Sequence, residues 1–176
     1  MTDFIRPADL DPDFNDPDSE VSKLRDHLLA GGSFAGWKGV DEVTLAGMSV
    51  LAKYFYDHED YDQAATLYAS LCFLDSSERK HFFGLGATRK MQGRYKDAAD
   101  ALGVAVALDI QDPVASYYTA DCLLNLGQRD DAQGLLEMCI QFSGAPEHAE
   151  IRKSAKALLG LLTTHNKAPG QAPGAR

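Results

Sequence analysis

Between residues 45 and 146 the apolar positions recur as a train of short helices. Leu51, Ala52 and Phe55, then Tyr61, Ala64, Tyr68 and Leu71, fall three and four apart, the spacing that gathers side chains on one helix face. The same arrangement returns over Phe82, Leu85 and Gly86, followed by Tyr95, Ala98, Leu102 and Ala105. It returns again over Ala120 and Leu123, followed by Ala132, Leu136 and Cys139. Gly93 and Gly127 stand at the breaks within the second and third pairs, where a tight turn between helices favours a residue tolerant of positive φ. Glu59, beside His58, takes that place in the first pair, so its turn is either more polar and strained or differently built.

Superposing the segments that begin Asp60-Tyr61, Arg94-Tyr95 and Gln128-Arg129 places alanines at 64, 98 and 132, two intervals of 34 residues each. That is the period of the tetratricopeptide repeat, a stacked helix pair. The units are 45–78, 79–112 and 113–146. Alanine and glycine at the crossing points let the two helices of a unit approach, and larger Leu, Phe and Tyr fill the space beside them. Upstream, Pro17-Asp18-Ser19, then Val21, Leu24, Leu28 and Leu29, then Gly31-Gly32 read as start, amphipathic stripe and stop of a helix over about 18–30. A connector with Phe34 and Trp37 follows, and Asp41 is a plausible N-cap of the first repeat. Downstream, Ile151, Ala155, Leu158, Leu159 and Leu162 suit a helix from Pro146 to Thr164 that covers the open end of the stack, as solenoids require. The fold expected is therefore all-α: three tetratricopeptide repeats in a short superhelix, with an N-terminal helix and a C-terminal capping helix, over 18–164. Residues 1–17, rich in Asp and Pro, and the tail 165–176, with its repeated Ala-Pro-Gly, read as disordered by composition.

Composition narrows the function. With 45% hydrophobic and 24% charged residues in 176, the chain has material for one compact core. A net charge of −9 repels phosphate backbones and anionic membrane surfaces, so neither nucleic acid nor membrane insertion is expected. The first ten residues carry Asp3 and Asp9 and no continuous apolar stretch, unlike a secretory signal, which points to the cytoplasm. Cys72, Cys122 and Cys139 fit neither a disulfide framework nor a paired-cysteine zinc site and read as reduced, mostly buried thiols, Cys122 the least clear.

A search for catalytic chemistry returns little. The histidines at 27, 58, 81, 148 and 165 show no metal-ligand spacing, and surface or turn positions explain them. Asp60, Asp62, Asp130 and Asp131 sit at helix starts, where Asp caps. Gly84-Leu85-Gly86 lacks the strand and Lys-Ser/Thr of a phosphate loop and reads as packing space. No enzyme, cofactor or metal site is expected. What the repeats offer is a concave face lined by the first helix of each unit. Its positions here are Ser49, Lys53, Tyr56 and Asp57; Phe83, Ala87, Lys90 and Met91; and Tyr117, Asp121, Leu124 and Asn125. Tyr56, Phe83, Met91, Tyr117 and Leu124 can anchor an apolar partner, and small Ala87 leaves room between them. A heat-shock-type carboxylate clamp is absent, since Ser49, Gly84, Val114 and Tyr118 stand where several of its polar residues belong.

Leu28-Leu29-Ala30-Gly31-Gly32 before the repeats, His81-Phe82-Phe83-Gly84-Leu85-Gly86-Ala87 and Ala120-Asp121-Cys122-Leu123-Leu124-Asn125-Leu126-Gly127 within them make the chain resemble the class II type III secretion chaperones over about 21–157. The resemblance implies a bacterial cytoplasmic chaperone of two hydrophobic, pore-forming translocator proteins. Its groove would take a short extended segment in which two prolines flank a leucine, with Lys53, Tyr56, Phe83, Ala87, Met91, Tyr117, Asp121 and Leu124 as groove residues. It further implies a homodimer through the N-terminal helix, with Val21, Leu24 and Leu28 at the interface, and a role of some members with a secretion regulator. A scaffold or adaptor subunit of another assembly is the alternative.

Overall fold

The computed structural model describes residues 16–165, and the expectations for 1–15 and 166–176 lie outside them. Among the described residues the elements are α1 (Glu20–Leu29), α2 (Phe34–Lys38), α3 (Glu42–Asp57), α4 (Tyr61–Leu74), α5 (Arg79–Met91), α6 (Tyr95–Leu108), α7 (Pro113–Asn125), α8 (Arg129–Phe142), a 3-10 turn (Pro146–His148) and α9 (Ala149–His165). The pairs α3–α4, α5–α6 and α7–α8 are the three repeats. From α3 onward each helix packs chiefly on its neighbours in sequence, α2 lies against α1 and α4, and the first helices of successive units also touch, α3 on α5 and α5 on α7. α9 covers α8 and the edge of α7, as the cap requires.

Local chemistry explains most boundaries. Ser19 accepts from Ser22 N at the start of α1, Asp41 from Thr44 N at 2.7 Å at the start of α3, and Asp60 from Gln63 N at the start of α4. Asp112 does the same for α7 ahead of Pro113. Each satisfies a donor that the first helical turn leaves unpaired. Three expectations change. The connector at Phe34 and Trp37 is a short helix, started by Ser33 accepting from Gly36 N and ended by Gly39 at φ 68°. Asp130 and Asp131 lie in the first turn of α8 without capping it, where their charge favours the helix dipole. Asp62 also does not cap, but accepts from Gln92 Nε2 at 2.7 Å.

The core is built on small residues. Ala64, Ala98 and Ala132 have no exposed surface, nor do Ala52 and Ala120 opposite them. A β-carbon on Gly86 would lie 2.5 Å from Leu102 Cγ and 3.1 Å from the Ala98 carbonyl oxygen. Leu102, Leu136 and Leu71 are fully buried beside these crossings. Leu51 is 45% exposed and so does not belong to the core expected for the first unit. All three cysteines are buried and unpaired, Cys122 included, and burial pushes each thiol up to about 11. No helix among the described residues is long and apolar enough to cross a membrane.

The first inter-helix turn adopts the same left-handed backbone as the others. Glu59 has φ 62°, against 73° for Gly93 and 77° for Gly127. A side chain there carries a steric penalty that glycine avoids, partly offset by glycine's greater freedom when unfolded. Glu59→Gly is therefore expected to stabilise the chain by about 0.5–1 kcal/mol, read as a rise in the denaturant midpoint at unchanged slope.

Candidate peptide-binding groove

The first helices place their side chains along one face, and a cavity of ≈ 330 Å³ opens there between α3, α5 and α7. Lys53, Tyr56, Asp57, Phe83 and Ala87, all expected on this face, line it together with Tyr68, Gly84 and Tyr118. The aromatic wall is held by contacts within the chain. Phe83 meets Tyr118 edge to face, with ring centroids 5.6 Å apart, a favourable geometry for the ring quadrupoles. Tyr56 packs likewise on Tyr61 at 5.7 Å. Burial raises the phenol pKa of Tyr56 and Tyr68, so both stay neutral hydroxyls at physiological pH.

Tyr68 reaches the groove from α4, the second helix of its unit, because Gly84 leaves room: a β-carbon on Gly84 would overlap the Tyr68 ring. The same ring also borders a cavity of ≈ 700 Å³ toward the start of α3 and one of ≈ 370 Å³ toward Asp112 and His148. It is thus the shared wall of the three hollows. Periodicity reads Tyr68 as core; only the glycine at 84, taken together with it, signals otherwise.

The remaining expected residues divide. Met91 is 52% exposed and does not line this cavity. Tyr117 and Leu124 pack against the cluster of Ala120, Ala132, Leu136, Cys139 and Ala155 where α7 meets α8 and α9. Tyr118, one residue on and about 100° further round the helix, occupies the groove. Asp121 pairs with Lys90 Nζ at 2.5 Å, and the ammonium lies 4.8 Å from the Tyr118 ring centre, within cation–π range. Lys53 is held by Asp57 of its own helix at 2.7 Å. Neither lysine is simply solvated. His81 also departs from a surface position: it is 6% exposed, with Nε2 3.2 Å from Ser49 Oγ. At the other end Val21 and Leu28 on α1 are 47% and 45% exposed, and Leu24 is half-buried.

The Lys90–Asp121 pair ties α5 to α7 beneath the aromatic wall. Burial lowers the Lys90 pKa, but the hydrogen bond and charge of Asp121 outweigh it and raise the value above the ordinary 10.5. A raised folded-state pKa contributes stability that is present below the unfolded value and lost as pH rises through the folded one. Asp121→Asn is expected to cost about 1 kcal/mol at pH 7, and the difference from the parent should shrink above pH 10.5. Urea melts of both chains across that range check it.

Fold and groove together define a three-repeat tetratricopeptide protein with an aromatic concave face. The tetratricopeptide repeat family models match residues 48–77 and 91–141. Low calcium response locus protein H of Yersinia pseudotuberculosis is 28% identical over 140 residues, 79% of this chain and 83% of that protein. A type III secretion complex from Aeromonas hydrophila contains a chain of similar structure, with TM-score 0.80 and 28% identity, over 84% of this chain and 99% of that one. PcrH of Pseudomonas aeruginosa, solved with the chaperone binding region of PopB, superposes with TM-score 0.66 at 30% identity, over 69% of this chain and 98% of PcrH; it has also been solved with the chaperone binding region of PopD. The chain belongs to the class II type III secretion chaperones, the translocator chaperones. Its relatives are chaperones and not enzymes.

Proposed function

We propose that the chain holds a short extended segment of each of two hydrophobic translocator proteins in the groove of α3, α5 and α7, keeping them soluble and separate in the bacterial cytoplasm until secretion. The observation that carries this reading is the cavity walled by Tyr56, Tyr68, Phe83 and Tyr118 on the concave face. Aromatic-lined grooves suit extended, proline-containing segments, which lose little conformational freedom on binding. A membrane-inserting protein exposes apolar surface that aggregates in water, and covering part of it on an acidic carrier counters that. The kinship with PcrH, solved with segments of PopB and PopD, supports the partner class. The likeness to a chain in the CopN-Scc3 complex, TM-score 0.70 at 25% identity, adds a secretion regulator to the partners this reading proposes.

The test is co-expression of the tagged chain with membrane-inserting proteins encoded beside it, reading which moves from the pellet into a stoichiometric complex. Phe83→Glu and Tyr118→Glu are expected to weaken capture by about 30-fold or more, the loss of one buried anchor, measured at a temperature where circular dichroism shows each variant folded, since both rings also pack against Ala98, Leu102 and Cys122. Tyr117→Glu, whose ring packs against the α7–α9 cluster and does not line the cavity, should lower thermal stability without a comparable loss of capture. Full capture by both groove variants would place binding elsewhere.

The same reading includes a homodimer through α1, whose Val21 and Leu28 leave an apolar stripe open to solvent. Val21→Asp with Leu24→Asp is expected to yield a monomer in sedimentation velocity, and an unaltered profile would remove α1 as the interface.

A further inference from the structure

Beside the aromatic cavity lies a larger cleft of ≈ 700 Å³, between the start of α3 and the start of α5. One wall is aliphatic, made by Leu45, Ala46 and Val50. The rim is acidic, with Glu42, Asp75 and Glu78, and none of these three forms an ion pair among the described residues. Of the two lysines at the cleft, Lys53 is already neutralised by Asp57 at 2.7 Å, so Lys80 alone stands against three carboxylates.

His81 gives the second, independent indication. It is 6% exposed and crosses the cleft from α5 toward Ser49 on α3. Ser49 Oγ donates to the Leu45 carbonyl at 3.0 Å and so accepts from His81 Nε2 at 3.2 Å, which puts the ring proton on Nε2. Nδ1 is then a buried acceptor, and it has no partner. A buried acceptor without a donor is uncommon in folded proteins. A group entering here must bring donors and positive charge and must lay a hydrocarbon stem along Leu45, Ala46 and Val50. Lysine and arginine side chains carry donors only, on long apolar stems; a carboxylate is excluded on both counts.

We propose that this cleft is a subsite for one lysine or arginine side chain of the bound segment, adjoining the aromatic cavity that takes its apolar anchor. The proposal rests on the groove reading above and adds a charge preference to it. Tyr68 and Lys53 border both hollows, so the two adjoin, and a single extended segment lying across these two side chains reaches both.

The probe is a series of fluorescein-labelled peptides in which two prolines flank a leucine, with one lysine moved stepwise along the sequence and norleucine as its uncharged counterpart. Anisotropy titrations of the full chain are expected to find one position where lysine binds about fivefold tighter than norleucine. At that position the ratio should fall to about one in Glu42→Gln/Glu78→Gln, and fall in part in His81→Phe, both checked for helicity by circular dichroism. Peptides that bind without any lysine preference, or a preference untouched by Glu42→Gln/Glu78→Gln, overturn the subsite and leave the groove reading intact. If no peptide of the series binds the parent chain, the groove reading itself fails and the subsite with it.

Discussion

The distance at which the two helices of a unit can cross is the constraint on which the other features rest. Ala52, Gly86 and Ala120 on the first helices face Ala64, Ala98 and Ala132 on the second, and these alanines have no exposed surface. At Gly86 even one methyl would be pressed against Leu102 and the Ala98 carbonyl, so the usual gain in helix propensity from alanine is overruled by overpacking. Close crossing brings the first helices of successive units into contact, and only then do side chains from three separate helices share one concave wall. The groove is thus a consequence of small residues buried away from it.

Within that frame the units exchange bulk across their junctions. Tyr68 and Leu102 hold the same place in successive repeats, 34 residues apart, as do Gly84 and Tyr118. At the first junction the ring comes from α4 and the gap from α5; at the second, Leu102 is buried on α6 and the ring comes from α7. Each junction keeps one large ring and one smaller group, which preserves packing while moving the aromatic surface from one helix type to the other. The cavity between Tyr68 and Tyr118 exists because the exchange occurs.

Much of this was legible in the sequence, and the failures have physical causes. The 34-residue period carries the helix pairs and their turns, because buried alanines and turn glycines recur where backbone geometry recurs, and the two flanking helices show in their own amphipathic stripes. The four groove residues nearest the middle of the stack, Lys53, Tyr56, Phe83 and Ala87, came from the same register. The register sets Tyr117 on the concave face because it gives α7 the same orientation as α3 and α5. α7, however, has the capping helix α9 beside it, and the face turned toward that helix is taken up by packing. Tyr68 was hidden because its exposure depends on a glycine in the next unit, and His81 because burial of a polar ring depends on a serine 32 residues away. Pairwise conditions of this kind leave no trace in a one-dimensional pattern.

The electrostatics then decide what the groove can recognise. A net charge of −9 draws cations toward the chain as a whole, yet the centre of the groove is nearly neutral. Lys53 and Lys90 are each matched to an aspartate there. The Lys53–Asp57 pair is well exposed at 68% and 49%, so solvent screens it and it contributes little to stability; its effect is to cancel charge beside Tyr56 and Tyr68. Lys90–Asp121, less exposed at 25% and 28%, fixes the ring of Tyr118 from beneath. An incoming apolar side chain therefore meets aromatic rings without having to strip water from an unpaired charge, which is the costly step in burying polar groups. At the α3–α5 end Glu42, Asp75 and Glu78 face Lys80, Lys53 being already paired with Asp57. The centre of this face is thus formed by aromatic rings beside matched charges and its α3–α5 end by carboxylates.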